Sequence, residues 1–342
     1  MAYIKTVIVL LLSLGQILSP IWASLFRGED SFFENWSPDQ TYAADYAVEV
    51  KKNPNRDFVI LNLTDIQLEK WEAQGEYGKL VTKTVNALVE QTKPDLITVT
   101  GDNGYSTSGY LQFVKELDAF GIPWAPIMGN HDGSCCVSEF WCAHKLWSAK
   151  NCLFRFGPKG MGYGNYVINI TENGRPIHTM LMLDTHGNSS DEPVYFHDEQ
   201  LAWTRWVLEG VTRTEGRTVE SSALFHIPLP EFKTAYDEAY DSEQQRFTGE
   251  YAATSFGWNH EDVCCGPAGC PMFGLLKELG TKNVICGHDH NNCSSIVYQG
   301  VRLTYALHTG PGGYYEEGMN GGTVLTVHSD GSMNIEHRFV EM

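Results

Sequence analysis

The chain has 342 residues, with 24 Lys and Arg against 42 Asp and Glu and a formal net charge of −18. Its 42% apolar and 12% aromatic content excludes a disordered or low-complexity chain and is enough to build one large core. The acidic balance excludes a basic face for nucleic-acid duplexes and a polybasic membrane-surface module, but an anionic small substrate stays open because a bound cation can invert the local field.

The first element reads as an address. Lys5 precedes an apolar run from Val7 to Leu14, and the small residues Ala23 and Ser24 close the segment. The run is too short for a membrane anchor. This pattern predicts a signal peptide over 1–23, then a single domain over 24–342 with no later transmembrane anchor. The product is expected to be secreted or delivered to a lysosome or vacuole lumen. Cysteine usage agrees: the chain has nine, most of them clustered within 135–152 and 264–270, a spacing that suits disulfides in an oxidising compartment. Cys286, closing an apolar run, is the expected buried free thiol. Sequons at Asn35, Asn169, Asn188 and Asn292 suit surface glycosylation. Asn62 lies inside an apolar strand and is expected to stay unmodified.

From there the chain alternates. Strands are predicted over 57–64, 95–100 and 123–128, with helices over 77–91 and 109–120 between them. This βαβαβ rhythm predicts a sheet covered by helices, whose ligands lie at the carboxyl ends of the strands. The second half is richer in strands. Segments 164–170 and 177–183 form a hairpin through Asn173-Gly174. A helix over 197–208, a strand over 221–225, a helix over 272–279 and a strand over 283–286 follow, with more strands within 294–306 and 321–340. Trp141, Trp147, Trp203 and Trp206 recur at helical spacing and read as core. The chain reads as one compact two-sheet α/β domain.

Five stretches place ligand-type side chains just after apolar strands. They are Asp65-Ile-Gln67, Gly101-Asp102-Asn-Gly-Tyr105, Gly129-Asn130-His131-Asp132, His226 and Gly287-His288-Asp289-His290. Singly, Asp and Asn after strands are ordinary turn residues. Together, with glycines that let the chain turn sharply while imidazoles converge, they point to a metal centre.

In this order the motifs resemble those of the calcineurin-like metallophosphoesterases, over about residues 57–310. The flanks His226-Ile-Pro-Leu-Pro-Glu231 and Cys286-Gly-His-Asp-His-Asn291, with the Gly-rich segment 310–313, are similar to a short purple-acid-phosphatase-like branch. The resemblance implies a four-layer αββα sandwich of two mixed β-sheets flanked by helices. It also implies two metal ions, with Fe, Mn, Zn and Mg all open, about 3.5–4 Å apart. Asp102 would bridge them, Asp65 and His290 would bind the first, and Asn130, His226 and His288 the second. A metal-bridging hydroxide would attack phosphorus, His131 would protonate the leaving oxygen, and Asp132 would orient His131. One position departs from the family: Gln67 stands where the pattern has His. Either the Gln67 oxygen completes a divalent site, or Tyr105 supplies a phenolate to Fe³⁺, as its spacing from Asp102 in the purple-acid-phosphatase motif implies. His186 and Glu261 are candidate substrate contacts, and His308, Tyr314 and Tyr315 candidate rim residues. The implied activity is hydrolysis of a small phosphate ester, an acid phosphatase first. Phosphodiesterase action on nucleotides or lipid head groups is the alternative, and a non-catalytic metal-binding protein the third reading. Metal identities, natural substrate and oligomeric state stay open.

Overall fold

A computed structural model describes residues 2–69, 76–134, 136–187, 195–310 and 312–341. Helix α1 (Ala2–Arg27) leads into strands β1 (Val48–Lys51) and β2 (Phe58–Leu63). Next come α2 (Glu76–Thr92), β3 (Leu96–Thr100), α3 (Thr107–Ala119), β4 (Trp124–Ile127) and α4 (Glu139–Ser148). The hairpin is β5 (Tyr166–Glu172) with β6 (Arg175–Met182), followed by α5 (Asp198–Glu215), β7 (Glu220–Leu224) and α6 (Pro230–Ala239). A small ribbon, β8 (Tyr240–Asp241) and β9 (Arg246–Phe247), precedes α7 (Met272–Glu278) and β10 (Thr281–Cys286). The chain closes with β11 (Ser295–Tyr298), β12 (Val301–Tyr305), β13 (Gly321–Val327) and β14 (Met333–Phe339).

The strands form two large mixed sheets, ordered β1-β5-β6-β7-β10-β12-β11 and β14-β13-β2-β3-β4. β2, β3 and β4 run parallel as neighbours, and so do β6, β7, β10 and β12. Every residue of β3 and β4 is buried, which explains why neither carries a charged side chain: strands covered on both faces have no solvent side. Helix α2 packs on β2 and β13, while α5 and α7 pack on β6 and β10. The result is the expected αββα sandwich, and one continuous apolar core joins residues of both sheets. Asn173 and Gly174 both have positive φ, 52° and 77°, the geometry of a two-residue hairpin turn that follows the sheet twist.

Several elements differ from the sequence reading. Helix α5 runs past Leu208 to Glu215 because Val211 extends its buried stripe. Helices α4 and α6 are additions. In α4 the run Phe140–Leu146 is buried throughout, so no polar face marks its period, and its start is capped by Ser138, which accepts from Trp141 N. Pro230 opens α6, where its missing N–H costs nothing. Trp141 and Trp203 are fully buried and Trp206 nearly so, but Trp147 is 46% exposed. Trp147 rests edge-on against Phe32.

Helix α1, the predicted signal segment, lies against α4. Trp141 Nε1 donates to Ile17 O at 3.0 Å, and Lys145 Nζ donates to Gln16 O. Among the described residues no helix is long and apolar enough to cross a membrane.

The disulfide and glycosylation expectations need correction. The described cysteines are free thiols. Cys142 Sγ, for one, donates to Asp132 O at 3.1 Å. Cys286 is free and buried; Cys135 lies outside the described residues. Asn169 and Asn292 are buried, as is Asn62. The Asn169 amide oxygen accepts from Thr179 Oγ1, and that of Asn292 from His260 N and Glu261 N. A sequon locked in this way presents no amide to a modifying enzyme. Asn35 is exposed; Asn188 and Pro311 lie outside the described residues.

Ile97 sits fully buried on β3, which lies between β2 and β4. Ile97→Ala should cost roughly 2–5 kcal/mol. Urea unfolding should show this as a lower midpoint at unchanged slope.

Candidate metal centre

The site lies where the carboxyl ends of parallel strands from both sheets meet. Asp65 follows β2, Asp102 follows β3, and Asn130 and His131 follow β4. From the other sheet, His226 follows β7, His288 and His290 follow β10, and His308 follows β12. Hydrogen bonds tie the two sets together. His226 Nδ1 donates to Thr100 O at 2.8 Å, His288 N to Asp65 Oδ2 at 3.0 Å, and Thr64 N to Thr309 Oγ1 at 3.1 Å.

The backbone is bent to aim these groups. Asp65, Gln67, Asp102 and His288 have φ of 50°, 44°, 52° and 79°, a region that costs of order 1–3 kcal/mol per non-glycine residue. The sharp turns therefore fall largely on the ligand-type residues. Gly129 and Gly287 do a different job from the one expected of them. A Cβ on Gly129 would sit 2.2 Å from Asp102 N, and one on Gly287 2.0 Å from Thr64 Oγ1. These two glycines are required by close approach.

Oxygens of Asp65 and Asp102 and a nitrogen of His226 lie within 4.8 Å of one another, all three side chains buried. The Thr100 carbonyl can only accept, so it assigns the first ring proton of His226 to Nδ1. His226 Nε2 then faces Asn130 Oδ1 at 3.0 Å, His288 Nδ1 at 3.2 Å and Asp102 Oδ1 at 3.4 Å. Likewise His290 Nδ1 donates to Tyr314 O at 2.6 Å, which turns Nε2 towards Asp65 Oδ1 at 3.3 Å. Asp65 Oδ1 is buried without a hydrogen-bond donor; Gln67 Oε1 is too, but it is Gln67 Nε2 that faces Asp102. Acceptors and lone pairs converging in this way call for a cation, and the mixed carboxylate, amide and imidazole set suits first-row divalent metals. The residues present therefore fit the two ions that the motifs imply.

The electrostatics agree. Burial works against the charge on Asp65 and Asp102, yet the neighbouring imidazoles, His290 for Asp65 and His226 for Asp102, hold both carboxyls below the usual range. Burial also opposes charge on His226, but Asp102 outweighs it and pushes its pKa up to about 10. Burial, then the charge on His226, push His288 down to about 4.

Gln67 is the residue found between the two halves of the first site: its Nε2 lies 2.8 Å from Asp102 Oδ2 and 3.3 Å from His290 Nε2. The Tyr105 ring packs on His131, centroids 4.8 Å apart. His131 stands at the mouth, its side chain 36% exposed and its Nε2 4.0 Å from Asp102 Oδ2.

Asp132 differs from its expected role. Its buried carboxylate accepts from Gly129 N, Asn103 N and Asn103 Nδ2, each at 2.8 Å, and from Gly104 N at 3.3 Å. It clamps the loop carrying Asp102 to the loop carrying Asn130 and His131. Burial and then the Asp102 charge push its pKa up to about 7, against the pull of those donors. His186 is held by Gln200 Oε1 at 3.0 Å and stacks on His197. Glu261 accepts from Asn291 N at 2.7 Å, so it braces the His290 loop. Asp289 likewise accepts from Tyr305 Oη at 2.6 Å and from Cys264 N. The sequence reading missed Asn103, Thr64 and Thr100. Asn103 stood in plain view inside the Gly-Asp motif, whereas the Thr100 contribution is a main-chain carbonyl and carries no side-chain signal.

The family model of the calcineurin-like phosphoesterases matches residues 58–292. The chain is similar to phosphatase DCR2 of Saccharomyces cerevisiae, 28% identical over 265 residues, 69% of this chain and 44% of the yeast protein. It is also similar to probable inactive purple acid phosphatase 14 of Arabidopsis thaliana, 28% identical over 269 residues, 69% of this chain and 64% of that protein. The chain thus spans less than two thirds of the length of either relative. A dimetal phosphatase from Danio rerio shares the fold, with a TM-score of 0.53 at 14% identity, covering 84% of this chain and 98% of that one.

A metal ion bound beside His226 must displace the proton that Asp102 stabilises on its ring. Uptake of Mn²⁺ at pH 7 should release about one proton, and affinity should rise with pH while that proton competes. Calorimetry in two buffers of different ionisation enthalpy measures the release.

Proposed function

The chain belongs to the calcineurin-like phosphoesterases, and from that membership we propose that it is a metal-dependent phosphomonoesterase of the acid-phosphatase kind. The observation that carries this reading is the set of donor-free acceptors and inward-facing imidazole lone pairs at the seam of the two sheets, with His131 half-exposed beside it. Asp65, His290 and either Gln67 or Tyr105 would hold the first ion, Asn130, His226 and His288 the second, and Asp102 would serve both. When bound, the two ions supply an activated water and neutralise charge on the phosphoryl oxygens. His131 projects from the Asp102 side into the mouth, where its imidazole meets the leaving oxygen and donates a proton to it. Asp132 keeps the two loops in register during this transfer. Asp65 and Asp102, held below the usual carboxylate range, keep their charge in mild acid, which favours an acid optimum. There the bound ions must outcompete the His226 proton.

A phosphodiesterase is the alternative within the same chemistry. A metal-binding protein without turnover is a second reading, favoured by Gln67 in place of the family histidine and by the name of the Arabidopsis relative.

The metal-loaded protein should hydrolyse a phosphate monoester faster than the matching diester, and His131→Ala should lower kcat by roughly 10²–10⁴-fold. The opposite preference would favour the diesterase. Hydrolysis of neither, with Mn²⁺ or iron supplied, would leave the binding reading. A visible absorption band from tyrosinate bound to Fe³⁺, lost in Tyr105→Phe, would assign Tyr105 to the first ion; a colourless, iron-free, active enzyme would remove the ferric-tyrosinate reading.

A further inference from the structure

His290 is the middle layer of a three-ring stack. His308 lies on one side, centroids 4.3 Å apart and planes at 16°, and Tyr314 on the other, at 4.4 Å and 15°. His308 and His290 are buried, whereas Tyr314 is 51% exposed. The stack therefore runs from the core outwards, and Tyr314 is its outermost layer. Its inner face is covered by His290, so the accessible face is the outer one.

Tyr314 is fixed to His290 through its main chain as well as through its ring. The Tyr314 carbonyl accepts from His290 Nδ1 at 2.6 Å, and its ring lies on the His290 ring. Single exposed aromatics are normal on protein surfaces. One stacked on a residue whose Nε2 points at Asp65 Oδ1 from 3.3 Å, with its own carbonyl hydrogen-bonded to that same residue, is a different object. Little freedom is left for it to lose when a partner lies on it, which favours binding.

We propose that the outer face of Tyr314 is a stacking platform for a planar aromatic group in the alcohol portion of the substrate, so that the preferred esters are those of nucleosides or similarly flat alcohols. The inference rests on the phosphoesterase reading and deepens it. Tyr314 stacks directly on His290, a ligand-type residue of the metal centre, and a sugar is what separates a base from its phosphoryl group. Stacking also tolerates different bases, because every base has a π-face, and it asks for no cationic side chain from a chain of net charge −18.

The test compares adenosine 5′-monophosphate with ribose 5-phosphate on the Mn²⁺-loaded full chain. Both carry the same primary-alcohol ester, so the chemistry at phosphorus is matched and the base is what differs. Wild type should show a kcat/KM roughly ten-fold higher for the nucleotide. Tyr314→Leu should bring that ratio towards one, and Tyr314→Trp should restore it. The ratio is the readout because Tyr314 also touches His290, so absolute rates will move. Equal values in wild type, or an unchanged ratio in Tyr314→Leu, would overturn the platform. If neither compound is hydrolysed, the phosphoesterase reading fails separately, and equilibrium binding of the same two compounds to wild type and both variants decides the platform by the same ratio.

Discussion

Two carboxylates, Asp65 and Asp102, are buried side by side, with oxygens within 4.8 Å of each other and of a His226 nitrogen. Like charges that close, removed from water, repel strongly and lose their hydration. The surrounding imidazoles do not relieve this as neutral donors, because the Thr100 and Tyr314 carbonyls turn their lone pairs inward. The arrangement is stable only around positive charge, and most other features of the site serve that requirement. The left-handed backbone at Asp65, Asp102 and His288 aims the ligands. The crowded glycines let the loops touch, and the four N–H groups on Asp132 lock two of those loops together.

The two sheets divide the labour. One supplies both carboxylates, Asn130 and His131, and the other supplies the three ligand-type histidines. Neither sheet holds a cation site alone, so the centre exists only when the sandwich closes. Its precision depends on the core between the sheets, which is continuous and resists small displacements because interiors are close-packed. The cross-sheet bonds from His226 to Thr100 and from His288 to Asp65 then set the final register at the seam.

The acidic surface and an anionic substrate are compatible for the same reason. Exposed charges act through water and are screened over about 8 Å at physiological ionic strength, whereas the ions expected in the seam act at contact distance in a water-poor environment. Beyond Asp65, Asp102 and His226, that point is bordered by Asn130, Gln67 and the stack of His308, His290 and Tyr314. Charge capture and recognition of the remainder of the molecule are thus assigned to different side chains.

What can be read along the chain is what local chemistry dictates. Several parallel strands announce themselves as short runs of apolar and β-branched residues, and the ligand-type residues follow them directly, so the sandwich and the places of Asp65, Asp102, Asn130, His226, His288 and His290 are visible in order. Elements with no local contrast are not. Helix α4 is buried along the run 140–146 and shows no amphipathic period. A sequon is a three-residue pattern, but whether Asn169 or Asn292 meets solvent depends on residues brought from elsewhere in the chain. Asp132 shows the limit most clearly. Its neighbour in sequence is His131, yet its partners Asn103 and Gly104 lie 29 and 28 residues away. The sequence by itself determined which chemical groups end each strand, because that pattern is short-range. Only the tertiary structure decided which atoms face one another, because direction and partnership are set by how two separate sheets pack.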